Sequence, residues 1–368
     1  MDFILSGVGG VWIFLFLSGY GIGKGFMNGK NSVIDQYGKI TMRGLLRFYV
    51  HRFLKIAPLY YGYCFLFEIL SGNLWYWQNR EVFFRMLTFT FHGIGGISGL
   101  GHLWYISMAM QLYFFMPFLE LVIRILCKTK KQMVAVYLVT IGAGLGMRIL
   151  FFKIGRDWQT DIYTNCFLNL DLVVSGMLSA KVNQWYADII QRKYQVVRKA
   201  LGWILFGMLV LYNCYIYWIG TDTCIHIYRY LLPTAYIISC TLLVLESKSC
   251  KRLVLESGGY SQCEIQNAFL LMVKTAVTKF SQYSYAFYIF HICVLEYLSR
   301  TMVQAEWFLQ NSPWIQYIIY YASAIAMLLL VSVYFTNFAN SIRLWALKPG
   351  KEAFRKCAEQ PKCYPKNL

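Results

Sequence analysis

The stretch Tyr283-Ser-Tyr-Ala-Phe-Tyr-Ile-Phe-His-Ile-Cys-Val-Leu-Glu-Tyr-Leu298 is apolar over most of its length and holds one histidine, His291, near its middle. A run of this kind is typical of a helix that crosses a membrane. An ionisable side chain at bilayer depth is costly, and it is normally kept only where it faces protein or a water-filled cavity. His291 is therefore a site candidate, either as a catalyst or as a residue of helix packing.

Apolar runs recur along the whole chain of 368 residues, of which 58% are hydrophobic and 14% are charged. Soluble domains carry about 25% charged residues. The pattern predicts an all-α, polytopic transmembrane helical bundle of about nine spans. They cover roughly residues 3–23, 53–71, 103–126, 133–152, 162–181, 200–219, 227–246, 283–302 and 313–338. The apolar stretch Val82–Phe91 is too short to cross and is expected to be interfacial or re-entrant.

The formal net charge of +18 is spread over many short loops, which argues against nucleic-acid binding. Loops rich and poor in Lys and Arg alternate along the chain, as the positive-inside rule requires. The alternation predicts an N-terminus outside and a C-terminus inside. Residues 1–345 are predicted to form the transmembrane domain, which contacts membrane lipid, and residues 346–368 a basic cytoplasmic tail.

Two features of the sequence resemble known sites only superficially: a glycine-rich segment that resembles a phosphate-binding loop, and the many cysteines. The segment Gly19-Tyr-Gly-Ile-Gly-Lys24-Gly25 has glycines too closely spaced for a phosphate-binding loop, and it lacks the Ser or Thr that would ligate magnesium. Its glycines are more typical of close helix packing. The 11 cysteines are scattered, mostly in apolar runs, and form no Cys-x-x-Cys pair, so neither a disulfide framework nor a metal site is expected.

A basic segment enters the second span. Its residues Arg47, Arg52, Lys55 and Tyr60 are candidates for holding a phosphorylated donor, because Arg and Lys bind phosphate as charge-assisted partners. The alternative is a basic anchor on anionic lipid.

Polar residues at the entry of the third span and inside the fourth and fifth indicate a cavity. Ser107 and Gln111 are four residues apart and share a helix face. An acid at the depth of Asp171 needs a partner, for which Arg148 is the nearest candidate. The cavity or acceptor candidates are His102, Trp104, Ser107, Gln111, Tyr113, Arg148, Asp171, Tyr285 and Tyr288.

Four segments, in this order, resemble the acyltransferase 3 family of integral membrane O-acyltransferases. They are the run ending in Leu17-Ser18-Gly19-Tyr20, the segment from Arg52 to Tyr60, the segment His102-Leu-Trp104 to Tyr113, and Ser284-Tyr285-x-x-Tyr288-x-x-His291. The resemblance covers nearly the whole chain. It implies transfer of an acetyl or other short acyl group from cytosolic acyl-CoA, typically acetyl-CoA, to a hydroxyl of a cell-surface carbohydrate.

The resemblance also implies a multi-pass protein of the bacterial plasma membrane that modifies an envelope polysaccharide, without a bound cofactor. A neutral His291 could then take the acceptor hydroxyl's proton as general base. Family members usually begin with one more span, carrying an Arg and, ten residues later, an essential His. This chain begins where their second span begins, and one further helix would give the family's ten. We expect His291 to support substrate or donor, and to be the base only if Met1 is the true start and the protein is active.

Two other functions are compatible with the sequence. One is a transporter or flippase for lipid-linked sugars, and the other is a catalytically inactive relative that acts as a partner in envelope assembly. A homo-oligomer is left open. The family pattern often carries a Glu where this chain has Ala109 or Met110.

Overall fold

The computed structural model describes residues 8–27, 33–35, 38–71, 79–90, 101–156, 162–186, 192–219, 226–245, 263–302, 305, 308 and 310–359. This part of the chain folds into ten α-helices and one turn of 3-10 helix, Gly101–Leu103, and it contains no strand. The helices are α1 (Val8–Met27), α2 (Met42–Ser71), α3 (Arg80–Leu87), α4 (Trp104–Leu126), α5 (Lys130–Lys153), α6 (Leu170–Tyr186), α7 (Arg192–Ile219), α8 (His226–Val244), α9 (Cys263–Met302) and α10 (Pro313–Glu359).

The all-α membrane bundle predicted from the sequence is confirmed. Each of the nine predicted spans overlaps a helix of its own, namely α1, α2 and α4 to α10, although residues 162–169 of the fifth span precede α6. Four segments of the described chain are long and apolar enough to cross a membrane by themselves: Gly9–Met27, Gly101–Leu126, Lys130–Lys153 and Pro313–Ala346. The total of nine spans stays a prediction.

Helix bounds differ from the predicted spans where charged residues extend a helix beyond its apolar part. Helix α9 begins at Cys263, twenty residues before Tyr283, and α10 continues to Glu359, into the segment predicted as a tail. The stretch Val82–Phe91 contributes to α3, whose eight residues reach only about 12 Å. Helix α3 is therefore too short to cross a bilayer.

The chain divides into two compact units. The first comprises residues 1–50, 84–94 and 104–260, and the second comprises residues 51–83, 95–103 and 261–368. In the first unit, α1 packs along α6 at short range: Gly19 faces the backbone of Val173, and Gly176 faces the backbone of Phe16 and Tyr20. Large buried side chains such as Trp12 surround this contact.

In the second unit, α9 packs against α10 and also contacts the part of α2 that follows Val50. Tyr320 of α10 donates a hydrogen bond to the carbonyl of Leu295 at 2.8 Å. Phe290 of α9 stacks on Phe335 of α10 with ring centroids 4.5 Å apart. These contacts hold α9 firmly beside its neighbours, and α9 is the helix that carries His291.

Candidate active site

Two histidines from distant parts of the sequence lie side by side in the second unit. The imidazole of His291, on α9, and that of His102, in the 3-10 turn, have centroids 5.1 Å apart and planes at 76°. Their surroundings are aromatic. Tyr63 of α2, which is 1% exposed, places its ring edge-on to His102 at 5.5 Å.

The hydrogen bond of His291 determines which of its nitrogens carries the proton. His291 Nδ1 lies 2.5 Å from the carbonyl oxygen of Tyr288, one turn earlier in α9. A carbonyl can only accept, so Nδ1 is the donor, and in the neutral ring Nε2 carries the lone pair. Nε2 makes no hydrogen bond with any residue that the structure describes. It is therefore available to accept a proton from a substrate.

His102 is held from both sides by the same turn of α9. Its Nε2 donates to the carbonyl of Ile289 at 2.8 Å, and its own carbonyl accepts a 2.5 Å hydrogen bond from the Tyr288 hydroxyl. In the neutral ring, Nδ1 of His102 therefore holds the lone pair. This nitrogen is buried and has no hydrogen-bond partner within the described residues. The site thus contains two imidazoles, each with one nitrogen that can accept a hydrogen bond.

Tyr285, one turn before Tyr288, joins α9 to α2. Its hydroxyl donates to the carbonyl of Ile56 at 3.2 Å. Ile56 follows Lys55 directly, so the histidine group is tied to the basic part of α2 that the sequence singled out. Of the predicted residues, His291, His102, Tyr285 and Tyr288 come together here.

The four predicted donor-binding residues all lie on α2 but in different settings. Arg47 is exposed and falls in the first unit. Arg52, half-buried, and Lys55, exposed, belong to the second unit. Tyr60 is buried at 1% exposure. Their role in donor binding stays a prediction.

The other cavity candidates on α4 lie in the first unit. Trp104 packs against Tyr163 with ring centroids 4.6 Å apart. Ser107 is fully buried, Gln111 donates to the carbonyl of Phe89 at 3.0 Å, and Tyr113 is half-buried against the core.

The partner of Asp171 is Arg148. Arg148 Nη2 lies 2.5 Å from Asp171 Oδ1, and both side chains are buried. Arg148 Nε also donates to the carbonyl of Leu168 at 3.2 Å, and Nη1 lies 3.5 Å from the Thr234 hydroxyl. Gly144 leaves room for the carboxylate, because a Cβ there would collide with it. The pair belongs to the first unit.

The sequence did not predict a second ion cluster, which forms around a buried acid. Glu120 of α4 is fully buried, and its Oε1 lies 2.7 Å from Arg124 Nε and 3.3 Å from Lys181 Nζ. Its Oε2 is buried without a hydrogen-bond partner among the described residues. An acid within an apolar span was the available signal. Tyr63 was also missed, although it lies three residues after the predicted Tyr60.

No group of three or more His, Cys, Asp or Glu side chains is placed to hold a metal ion in the described chain. Compared with known proteins, residues 2–336 match a family model described as an acyltransferase domain. No curated protein and no solved structure matches the sequence.

Proposed function

The chain belongs to the acyltransferase 3 family, and from this membrane acyltransferase framework we propose that it moves a short acyl group, acetyl by preference, from cytosolic acyl-CoA to a hydroxyl of a cell-surface carbohydrate. The carbohydrate, the acetyl group and the bacterial plasma membrane rest on the family resemblance. The observation that carries the assignment of the site is the open Nε2 of His291, beside His102 and oriented by Tyr288.

The reaction follows from that nitrogen. His291 Nε2 takes the proton of the acceptor hydroxyl, and the oxygen attacks the carbonyl carbon of the thioester. The carbon–sulfur bond of the resulting tetrahedral intermediate then breaks, and the departing thiolate takes the proton back from the imidazolium. The products are the ester and free CoA thiol, and His291 returns to its neutral state.

The remaining residues of the group orient the two imidazoles. The Tyr288 carbonyl fixes the proton of His291 on Nδ1, which keeps Nε2 as the base. Tyr63, itself buried, packs its ring nearly perpendicular to that of His102 and helps to keep water from the pair. Excluding water favours acyl transfer over hydrolysis of the donor.

A deletion strain complemented with single variants tests this proposal. Surface polysaccharide is extracted, and ester-linked acetyl is released by mild alkali and measured by mass spectrometry. The intact gene should restore acetylation, whereas His291→Gln should lower the transfer rate by about 100-fold or more, as loss of a general base does. Tyr297→Phe is the matched control, because Tyr297 lies on the same helix and its side chain is exposed.

Equal membrane abundance and thermal stability of the two variants would show that His291→Gln is folded. Normal acetylation in the deletion strain, with lipid-linked sugars accumulating inside, would instead identify a flippase. Normal acetylation without such accumulation would indicate an inactive relative.

A further inference from the structure

The short helix α3 ends in a strained turn. Phe89 is the only residue other than glycine with a positive φ in the described part of the chain, and its φ of 53° lies in the left-handed region. Its amide donates to the Met86 carbonyl at 3.4 Å. The next amide, that of Thr90, donates to the Arg85 carbonyl at 2.9 Å. These two bonds form a Schellman turn, in which the left-handed residue is usually glycine. A phenylalanine in that place must be held by its surroundings.

Phe89 is held through its side chain and through its backbone. The side chain is buried, and the carbonyl accepts a hydrogen bond from Gln111 Nε2 of α4 at 3.0 Å. The helix before it is loosely packed, because only Met86 of the eight side chains of α3 is buried. Elements with few buried apolar side chains open at low cost in free energy. The closed position of this segment therefore depends on Phe89 and on its bond to Gln111.

One turn before Gln111 on α4 lies a polar group that the closed arrangement leaves unpaired. The Ser107 side chain is fully buried, and its hydroxyl has no hydrogen-bond partner among the described residues. Other helix hydroxyls, those of Thr140 and Thr241, donate to the carbonyl four residues earlier. A buried hydroxyl without a partner costs free energy. That cost is removed if this face of α4 opens to water or to a polar ligand.

We propose that residues 80–90 form a latch, closed on α4 by the hydrogen bond from Gln111 to Phe89. The strained turn and the unpaired Ser107 hydroxyl favour opening, whereas the buried Phe89 ring and the Gln111 bond favour closure. Opening frees the Gln111 amide and uncovers Ser107 on the same helix face. This end of α4 is predicted to lie outside, on the side of the hydroxyl-rich acceptor. The latch thereby controls entry of the acceptor to this face, a role that rests on the proposed function for its ligand.

Hydrogen exchange measures the opening of the latch directly. The full chain in phosphatidylcholine nanodiscs is placed in deuterated buffer, and exchange at the Phe89 and Thr90 amides is followed by mass spectrometry. Gln111→Ala should raise both rates about fivefold, the effect of losing one hydrogen bond. Gln316→Ala is the matched control, because Gln316 of α10 also donates its amide to a carbonyl, that of Asn311. Unchanged exchange in Gln111→Ala would overturn the proposal.

Two substitutions of Phe89 separate the strain of the turn from the loss of the ring. Phe89→Ala and Phe89→Gly both remove the buried ring, and both should speed exchange of the Thr90 amide. Only glycine adopts the left-handed conformation without a steric penalty, so the Phe89→Ala protein should exchange faster than the Phe89→Gly protein. Equal rates in the two proteins would show that the turn is not strained, and they would contradict a balance between two states.

Alkylation at position 107 shows whether the latch covers this face of α4. In Ser107→Cys, N-ethylmaleimide should react slowly with the introduced thiol, which peptide mass spectrometry distinguishes from the 11 native cysteines. Adding Gln111→Ala should raise the labelling rate about fivefold, whereas adding Gln316→Ala should leave it unchanged. Faster exchange at Phe89 without faster labelling at position 107 would show that the latch does not cover Ser107, and the proposal would fall.

The latch and the proposed acyl transfer fail separately, because the exchange and labelling measurements contain neither acyl-CoA nor acceptor. If Gln111→Ala changes neither rate while His291→Gln abolishes acetylation, the latch is wrong and acyl transfer stands. If the latch opens as expected while the deletion strain acetylates its polysaccharide normally, the latch stands and its assignment to the acceptor is wrong.

Discussion

At the scale of single residues, Tyr288 connects the parts of the site. Its carbonyl accepts the Nδ1 proton of His291, and its hydroxyl donates to the carbonyl of His102. His102 in turn donates to Ile289, the next residue of α9. The two imidazoles are thus positioned by Tyr288 and Ile289, which are adjacent in one turn of α9. A shift of this turn would displace both imidazoles.

Tyr288→Phe tests this arrangement, because it removes only the hydroxyl. The ring and the backbone carbonyl remain, so His291 keeps its tautomer while the turn at His102 loses a hydrogen bond worth about 1 kcal/mol. We expect acetyl transfer to fall about fivefold, clearly less than for His291→Gln. Tyr283→Phe on the same helix is the control and should leave transfer unchanged. A Tyr288→Phe protein with full activity would show that the hydrogen bond from the Tyr288 hydroxyl to the His102 carbonyl is dispensable.

Sequence reasoning found this group only in part, for a physical reason. Tyr285, Tyr288 and His291 recur at helical spacing, and their pattern is visible in one segment. Tyr63 became informative only through a partner far away in the chain, His102. Nothing in its own neighbourhood distinguishes it from the other tyrosines of an aromatic-rich span.

At the scale of helices, glycine position decides how closely α1 and α6 approach. The sequence predicted packing glycines in Gly19–Gly25, and the structure separates those that need to be glycine from those that do not. A Cβ on Gly19 would collide with the backbone of Val173, whereas a Cβ on Gly21 would meet nothing. The periodicity of the segment indicated a contact, but only the neighbouring helix identifies which face makes it.

Gly19→Ala should therefore destabilise the protein by about 1–3 kcal/mol, the usual cost of overpacking against atoms that cannot yield. Gly21→Ala is a matched control and should be neutral or slightly stabilising, since alanine favours helix. Thermal unfolding of the detergent-solubilised proteins, followed by circular dichroism, measures the difference. Equal unfolding temperatures for the two variants would contradict the close backbone contact.

Helix ends were harder to predict than helix positions. Hydropathy locates the part of a helix that suits lipid, and each of the nine predicted spans overlaps a helix. It does not show where the hydrogen-bonded backbone stops. Lys274 and Lys279 made the region before Tyr283 resemble a loop, yet α9 runs through them. Charged residues limit the part of a helix that suits lipid, but the helix itself can continue through them.

At the scale of the whole molecule, the sidedness of the chain determines whether the proposed donor can reach its site. Arg343 lies near the end of the last predicted span and is followed by Lys348, Lys351, Arg355 and Lys356. Basic segments remain in the cytoplasm during insertion. The carboxyl end of α10 should then lie in the compartment that contains acyl-CoA, while the preceding loop around Asn311 should lie outside.

Reporter fusions test this sidedness in living cells. Green fluorescent protein fused after Leu368 should fluoresce, and alkaline phosphatase fused there should be inactive, because the first reporter matures in the cytoplasm and the second needs an oxidising compartment. Fusions after Asn311 should give the opposite pair of signals. Active phosphatase at Leu368 would place the carboxyl end of the chain on the outer side and would contradict the predicted topology, even if His291 remained essential for transfer.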